Sequence, residues 1–159
     1  PSPQPQWISA RTARKGRCQL LPWLWADADA NLSRGAARDE PAGADEIPLA
    51  PTLTSTGGLI ARHPRGYEGS LRYRHIGERP ANEDNSVRAL GYIVLDLAAG
   101  YRLGAYRLDV HVENLLDTEW NEAQFATESR LRGEAEPVTE IHFTPGNPQN
   151  VRMELSRFF

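Results

Sequence analysis

Residues 150–159 read Asn-Val-Arg-Met-Glu-Leu-Ser-Arg-Phe-Phe. Val151, Met153 and Leu155 fall on one phase of a two-residue period; Arg152, Glu154 and Ser156 fall on the other. A strand with one apolar and one polar face meets this pattern, and a helix does not. The same period returns at least four times upstream. The chain is thereby constrained to a sheet with two unlike faces.

In residues 20–31, Leu24, Ala26, Ala28 and Ala30 oppose Trp25, Asp27, Asp29 and Asn31. Residues 33–51, rich in Gly, Pro and charge, read as a long loop. Residues 52–63 place Leu53, Gly57, Leu59 and Ala61 in phase, and Pro64-Arg65-Gly66 makes a tight turn. Residues 67–76 set Tyr67, Leu71 and Tyr73 against Glu68, Ser70, Arg72 and Arg74. A polar loop over 77–90 precedes the clearest strand, 92–103, in which Ile93, Leu95, Leu97, Ala99, Tyr101 and Leu103 alternate with Val94, Asp96, Ala98, Gly100 and Arg102. Gly104-Ala105 is a two-residue hairpin turn. Tyr106, Leu108, Val110 and Val112 then oppose Arg107, Asp109, His111 and Glu113, so the apolar face crosses the turn in register. Residues 114–149 read as a long acidic loop before the last strand.

The expected fold is all-β: an antiparallel up-and-down meander of about six strands. Each is near ten residues, the length that crosses a bilayer at a tilt. Loops alternate long, short, long, short, long, as they do in outer-membrane barrels with short periplasmic turns and long extracellular loops. A soluble antiparallel sheet shows the same residue alternation but has no reason to gather its long loops at one end. Mean hydropathy of −0.56 and the lack of an apolar run near 18 residues exclude a spanning helix, not a membrane barrel. Net charge of −3 argues against a nucleic-acid partner. The single cysteine, Cys18, excludes an internal disulfide. Residues 1–19 show no strand pattern and no secretory signal, and are expected to be unstructured or unrelated to the rest.

Val112–Trp120, reading Val-Glu-Asn-Leu-Leu-Asp-Thr-Glu-Trp, resembles the end of the penultimate strand in TonB-dependent outer-membrane receptors. The Pro/Gly-rich approach at residues 144–148 and the aromatic terminus at Phe159 fit the same family, as do residues 71–77 and 91–97 upstream. One departure is that Arg157 stands where an aromatic is expected, with Phe158 added. The resemblance covers residues 20–159. It implies a C-terminal part of a larger barrel of about 22 strands, in the outer membrane of a Gram-negative bacterium. It reaches no plug domain and no TonB box, so a fragment is expected. By this resemblance the whole protein takes up a scarce solute, such as a ferric siderophore or a cobalamin-like compound. Its partners are the TonB energy-transducing complex, the barrel-assembly machinery, outer-membrane lipid and a small-molecule solute. The alternatives are a porin or barrel enzyme, and a soluble β-sheet binding module.

Val151, Met153, Leu155 and Phe159 are the expected barrel-assembly signal. Tyr67, Tyr101 and Tyr106 are the expected interface aromatics, because an apolar ring with a polar tip suits the membrane–water boundary. No catalytic, metal or cofactor site is expected. Asp27-Ala-Asp29-Ala-Asn31 mimics the opening of a calcium loop, but Leu32 and Arg38 stand where Gly and Glu are required. His63, His75, His111 and His142 are dispersed, and Asp109 and Glu113 share a face at ordinary strand spacing. Seven acidic residues (Asp117, Glu119, Glu122, Glu128, Glu134, Glu136 and Glu140) against Arg130 and Arg132 make 116–149 either a solvated surface loop, the plainer reading, or one that attracts a cationic ligand or divalent ions bridging lipopolysaccharide.

Overall fold

Alternating side chains leave each backbone to pair sideways, and this chain pairs almost entirely with its sequence neighbours. The computed structural model describes residues 7–38, 40–41 and 43–159. Among them the strands are β1 (Trp7–Leu21), β2 (Leu24–Ala37), β3 (Leu53–Arg62), β4 (Tyr67–Ile76), β5 (Arg79–Pro80), β6 (Arg88–Ala89), β7 (Tyr92–Leu103), β8 (Tyr106–Glu113), β9 (Asn121–Ser129), β10 (Val138–Pro145) and β11 (Asn150–Arg157). No helix forms among the described residues. Seven strands make one antiparallel sheet in the order β1-β2-β3-β4-β7-β8-β11. The pairs β5–β6 and β9–β10 are separate two-stranded sheets inside the long connections.

The turns explain the register. Gly104 takes φ of 59°, the left-handed value that the first position of a tight hairpin turn needs, and Leu103 pairs with Tyr106 across it. Gly66 takes φ of 89° and closes the β3–β4 turn, its amide donating to the His63 carbonyl at 3.0 Å. Pro22 and Trp23 turn the chain between β1 and β2.

Three expectations need correction. Residues 7–19, expected to lack a strand, form most of β1. Residues 1–6 of that segment lie outside the described residues. The alternation in β1 is not apolar against polar. It sets Ser9, Arg11, Lys15 and Arg17 against Ala10, Thr12, Arg14, Gly16 and Cys18. What holds it is pairing along β2: Lys15 lies opposite Asp29, Arg17 opposite Asp27, and Arg11 Nε donates to Asn31 Oδ1 at 2.8 Å. The sheet therefore has seven strands rather than about six. The first expected strand, 20–31, in fact straddles the β1–β2 turn, and β2 runs on to Ala37 because β1 pairs with it that far. Finally, the 114–149 connection is not loop throughout. Its β9–β10 hairpin is a ladder whose side chains carry no long apolar run, so no hydrophobic period betrayed it.

The sheet is a single layer. Among the described residues the buried apolar side chains are Ala81, Ala89 and Val94. Leu103, Met153 and Leu155 stay 67%, 70% and 71% exposed. A soluble domain buries such a face against a second layer. Among the described residues none covers it.

Candidate functional site

Cross-strand partners share a face, so the registers sort every side chain of the large sheet. One face runs through Leu24, Leu59, Leu71, Leu97, Val112 and Val151. The other runs through Trp25, Ile60, Ser70, Ala98, His111 and Arg152. The sorting of charge is complete for acids. Asp27, Asp29, Glu68, Asp96, Asp109, Glu113 and Glu154 are all the carboxylates of the large sheet, and all lie on the second, polar face.

Two ion pairs on the polar face each skip a strand. Arg72 of β4, Gly58 of β3 and Asp27 of β2 lie in one cross-strand row. Arg72 Nη1 donates to Asp27 Oδ1 at 2.5 Å, over the glycine. Likewise Glu68 of β4, Gly100 of β7 and Asp109 of β8 form a row. Arg107 forks onto Asp109, with Nε to Oδ2 at 2.8 Å and Nη2 to Oδ1 at 2.9 Å, and reaches Glu68 Oε2 at 3.0 Å across β7. A side chain in either row would stand in the gap. A Cβ on Gly58 would collide with the Leu71 carbonyl oxygen. One on Gly100 would lie 2.5 Å from Asp109 Oδ1. In the Asp27-Ala-Asp29-Ala-Asn31 row, Asp27 accepts from Arg72, Asn31 accepts from Arg11, and Asp29 lies opposite Lys15 in the register.

Gly58→Ala is expected to cost about 2–3 kcal/mol, since the clash is with rigid backbone and strand separation would break the Arg72–Asp27 pair. Gly100→Ala is expected to cost less, because the side chain it meets can swing away. Urea midpoints of the two variants, each carried in a complete barrel, check the order. Equal or negligible shifts would contradict the crossing role given to Gly58.

The aromatics gather at the short-turn end of the apolar face. Tyr67 and Tyr101 are cross-strand partners with stacked rings 4.5 Å apart. Tyr106 lies on the same face beside the Gly104 turn, and the Arg157 guanidinium sits 5.8 Å from its ring and 4.8 Å from that of Phe159. The sequence reading missed the turn residues that extend this row. Trp23 meets His63 at 5.2 Å, and His63 meets Tyr67 at 6.2 Å. The placement of Trp23 and His63 at turns, off the strand period, hid them. Phe158, past the end of β11, lies 4.9 Å from the guanidinium of Arg102, a polar-face residue. Val151, Met153 and Leu155 continue the apolar face on β11, the open edge of the sheet, opposite Val112, Val110 and Leu108. Phe159 lies beyond the end of β11 and is fully exposed.

Neither a protein-family model nor a curated protein matches the sequence. Solved structures do match in fold. The ferric yersiniabactin uptake receptor FyuA from Yersinia pestis superposes with a TM-score of 0.65 at 15% identity, over 96% of this chain and 24% of that one. The copper transporter OprC superposes with a TM-score of 0.67 at 18% identity, again over 96% of this chain and 24% of that one. The chain shares the fold of part of each of these two proteins. It spans about a quarter of their length.

Within this fold, the Asn-Leu-Leu-Asp segment ties the backbone tightly. Asn114 and Asp117 take φ of 49° and 50°, left-handed values that Asn and Asp tolerate better than other side-chain-bearing residues. Asn114 is 2% exposed. Its Nδ2 donates to the Thr118 carbonyl at 2.9 Å and the Asn147 carbonyl at 3.2 Å, and its Oδ1 accepts from the Thr118 amide at 2.9 Å. Asp117 Oδ1 accepts from the Gln149 amide at 3.1 Å. The motif thereby ties the end of β8 to the approach to β11, on either side of the β9–β10 hairpin. Trp120 closes the same knot. Its Nε1 donates to the Asn147 carbonyl at 3.1 Å, and its ring lies 4.7 Å from Tyr92 and 5.3 Å from the Arg74 guanidinium. Gln124, 3% exposed, exchanges two hydrogen bonds with the Leu90 backbone at 2.9 and 2.8 Å.

Asn114→Ala is expected to cost about 2–3 kcal/mol, through unpaired buried carbonyl and amide groups and a left-handed alanine. Limited trypsin cleavage at Arg130 and Arg132 should then speed up, because the hairpin loses its base. Unchanged cleavage would contradict the tie.

Proposed function

We propose that the chain is part of the barrel of an outer-membrane active transporter. In this reading the apolar face meets lipid and the polar face lines a lumen. The observation that carries it is the sorting of charge: every carboxylate of the large sheet is on one face, and the opposite face is apolar and uncovered. A membrane barrel needs such sorting, because a charge on the lipid side is costly. The two free sheet edges, β1 and β11, support membership in a larger closed barrel. The receptor-like fold of nearly the whole chain supports a TonB-dependent transporter over a porin or a barrel enzyme.

The reading extends to the whole protein. It sits in the outer membrane of a Gram-negative bacterium and is inserted by the barrel-assembly machinery. It binds a scarce solute, of the class of a ferric siderophore or a cobalamin-like compound, and imports it on energy from the TonB complex. Val151, Met153, Leu155 and Phe159 serve as the assembly signal, and Tyr67, Tyr101 and Tyr106 sit at the turn-side interface. Its work is transport, not chemistry on the solute. The test is solute accumulation by cells carrying the complete reading frame, with and without a working TonB complex. Uptake that needs TonB supports the proposal. Uptake indifferent to TonB would assign a passive pore.

A further inference from the structure

The apolar face of the large sheet carries no carboxylate, yet it is not free of cations. They stand only at its margins. Arg157 lies at the short-turn end, between Tyr106 and Phe159. Arg14, at the middle of β1, and Arg34, near the loop end of β2, flank the row where the β2–β3 ladder stops at Leu32 and Leu53. The registers put Arg14 opposite Ala30 and Arg34 opposite Ala10, all on the apolar face. Four residues of strand separate the two arginines, about 13 Å. Among the described residues neither takes part in an ion pair. The alanines opposite them leave both guanidinium forks clear. Next to Arg14, Gly16, Cys18, Ala26 and Ala28 are small enough to leave a shallow groove.

An arginine in this place has no carboxylate on its own face to meet. Its aliphatic stem can lie along apolar surface while the head reaches the interface. There the planar fork matches the geometry of a phosphate, which it binds with two parallel hydrogen bonds. We propose that Arg14 and Arg34 seat the phosphates of anionic lipid headgroups at the loop-side margin of the apolar face. The inference rests on that face meeting lipid. It adds which lipids the face selects and which side chains select them. Charge complementarity carries it: an acid-free face with unpaired arginines at its loop-side edge favours a net-negative headgroup over a zwitterionic one, whose ammonium offsets its phosphate. A juxtamembrane cation contributes to anionic-surface attraction by about a fivefold change in partitioning.

The test is flotation of a complete barrel carrying these 159 residues, diluted from urea into vesicles of phosphatidylcholine alone or of phosphatidylcholine with phosphatidylglycerol. The wild-type chain should bind both and prefer the anionic vesicles. R14Q/R34Q should lose about fivefold of that preference per arginine while still binding neutral vesicles as the wild type does. R11Q/R17Q, which removes two cations from the polar face of β1, should keep the preference. Binding to both vesicle types without preference would overturn the lipid-phosphate seat and leave the lipid-facing assignment standing. A preference that survives in R14Q/R34Q, or falls equally in R11Q/R17Q, would also overturn it. Binding to neither vesicle would overturn the lipid-facing assignment and the seat together.

Discussion

A lysine at Leu95 or Val110 is expected to damage membrane assembly far more than one at Ala98 or His111. Leu95 and Val110 are mid-strand on the apolar face, where Leu95 pairs with Tyr73 and Val110 with Ala99 and Met153. A cation held there at the bilayer midplane costs roughly 2–4 kcal/mol. Ala98 and His111 are partners of each other on the polar face, beside Ser70 and Arg152. Water in a lumen solvates a new ammonium group at that position. The four variants, each carried in a complete barrel, should divide by face in their extraction from membranes with urea. Equal sensitivity on both faces would contradict the assignment.

The second large effect concerns the edges. β1 and β11 each present an unpaired row of backbone donors and acceptors. In hydrocarbon each unpaired group costs several kcal/mol, and together these rows outweigh the 5–15 kcal/mol by which a folded domain is usually stable. In water the edge pairs with other chains, and the uncovered apolar face adds to the attraction. Leu103, Met153 and Leu155 alone expose about two-thirds or more of their surface. The isolated chain is therefore expected to aggregate or be degraded on expression. Supplying the remaining strands of a barrel should rescue it. Sedimentation and thermal melting decide the point. A soluble monomer that melts cooperatively would contradict the open-sheet account.

Most of the fold could be read from the period of two. Residues 52–63, 67–76, 92–103 and 106–113 alternate apolar against polar, and the structure places strands there with shared faces. What the period could not show was any strand stabilised in another way. β1 puts Arg14, Gly16 and Cys18 on the apolar face, and it is ordered by its backbone ladder with β2, in which Lys15 and Arg17 lie opposite Asp29 and Asp27. A row of cations spaced two apart, facing Asp27 and Asp29 in the next strand, was the signal available. β9 and β10 sit in a separate small sheet, so neither face needs to be apolar.

The polar face was legible as a row of charge and illegible as a network. Arg72 meets Asp27 only because Gly58 lies between them, and Arg107 meets Glu68 only over Gly100. Those contacts depend on three-strand register, which no single segment encodes. The Asn-Leu-Leu-Asp resemblance was visible, but its physical reason lies in two left-handed residues and their bonds to residues 118, 147 and 149.

The central claim is that neighbouring residues of β7 face different solvents. Single cysteines placed in turn from position 93 to 101, in a Cys18→Ser background assembled in a membrane, test it most directly. A fluorophore on each site is read for quenching by brominated lipid and for access to a water-soluble quencher. Lipid quenching is expected at 93, 95, 97, 99 and 101 and aqueous quenching at 96, 98 and 100, with little of either at 94, where Val94 is buried. Aqueous quenching at every position, or alternation in the opposite phase, would contradict the claim.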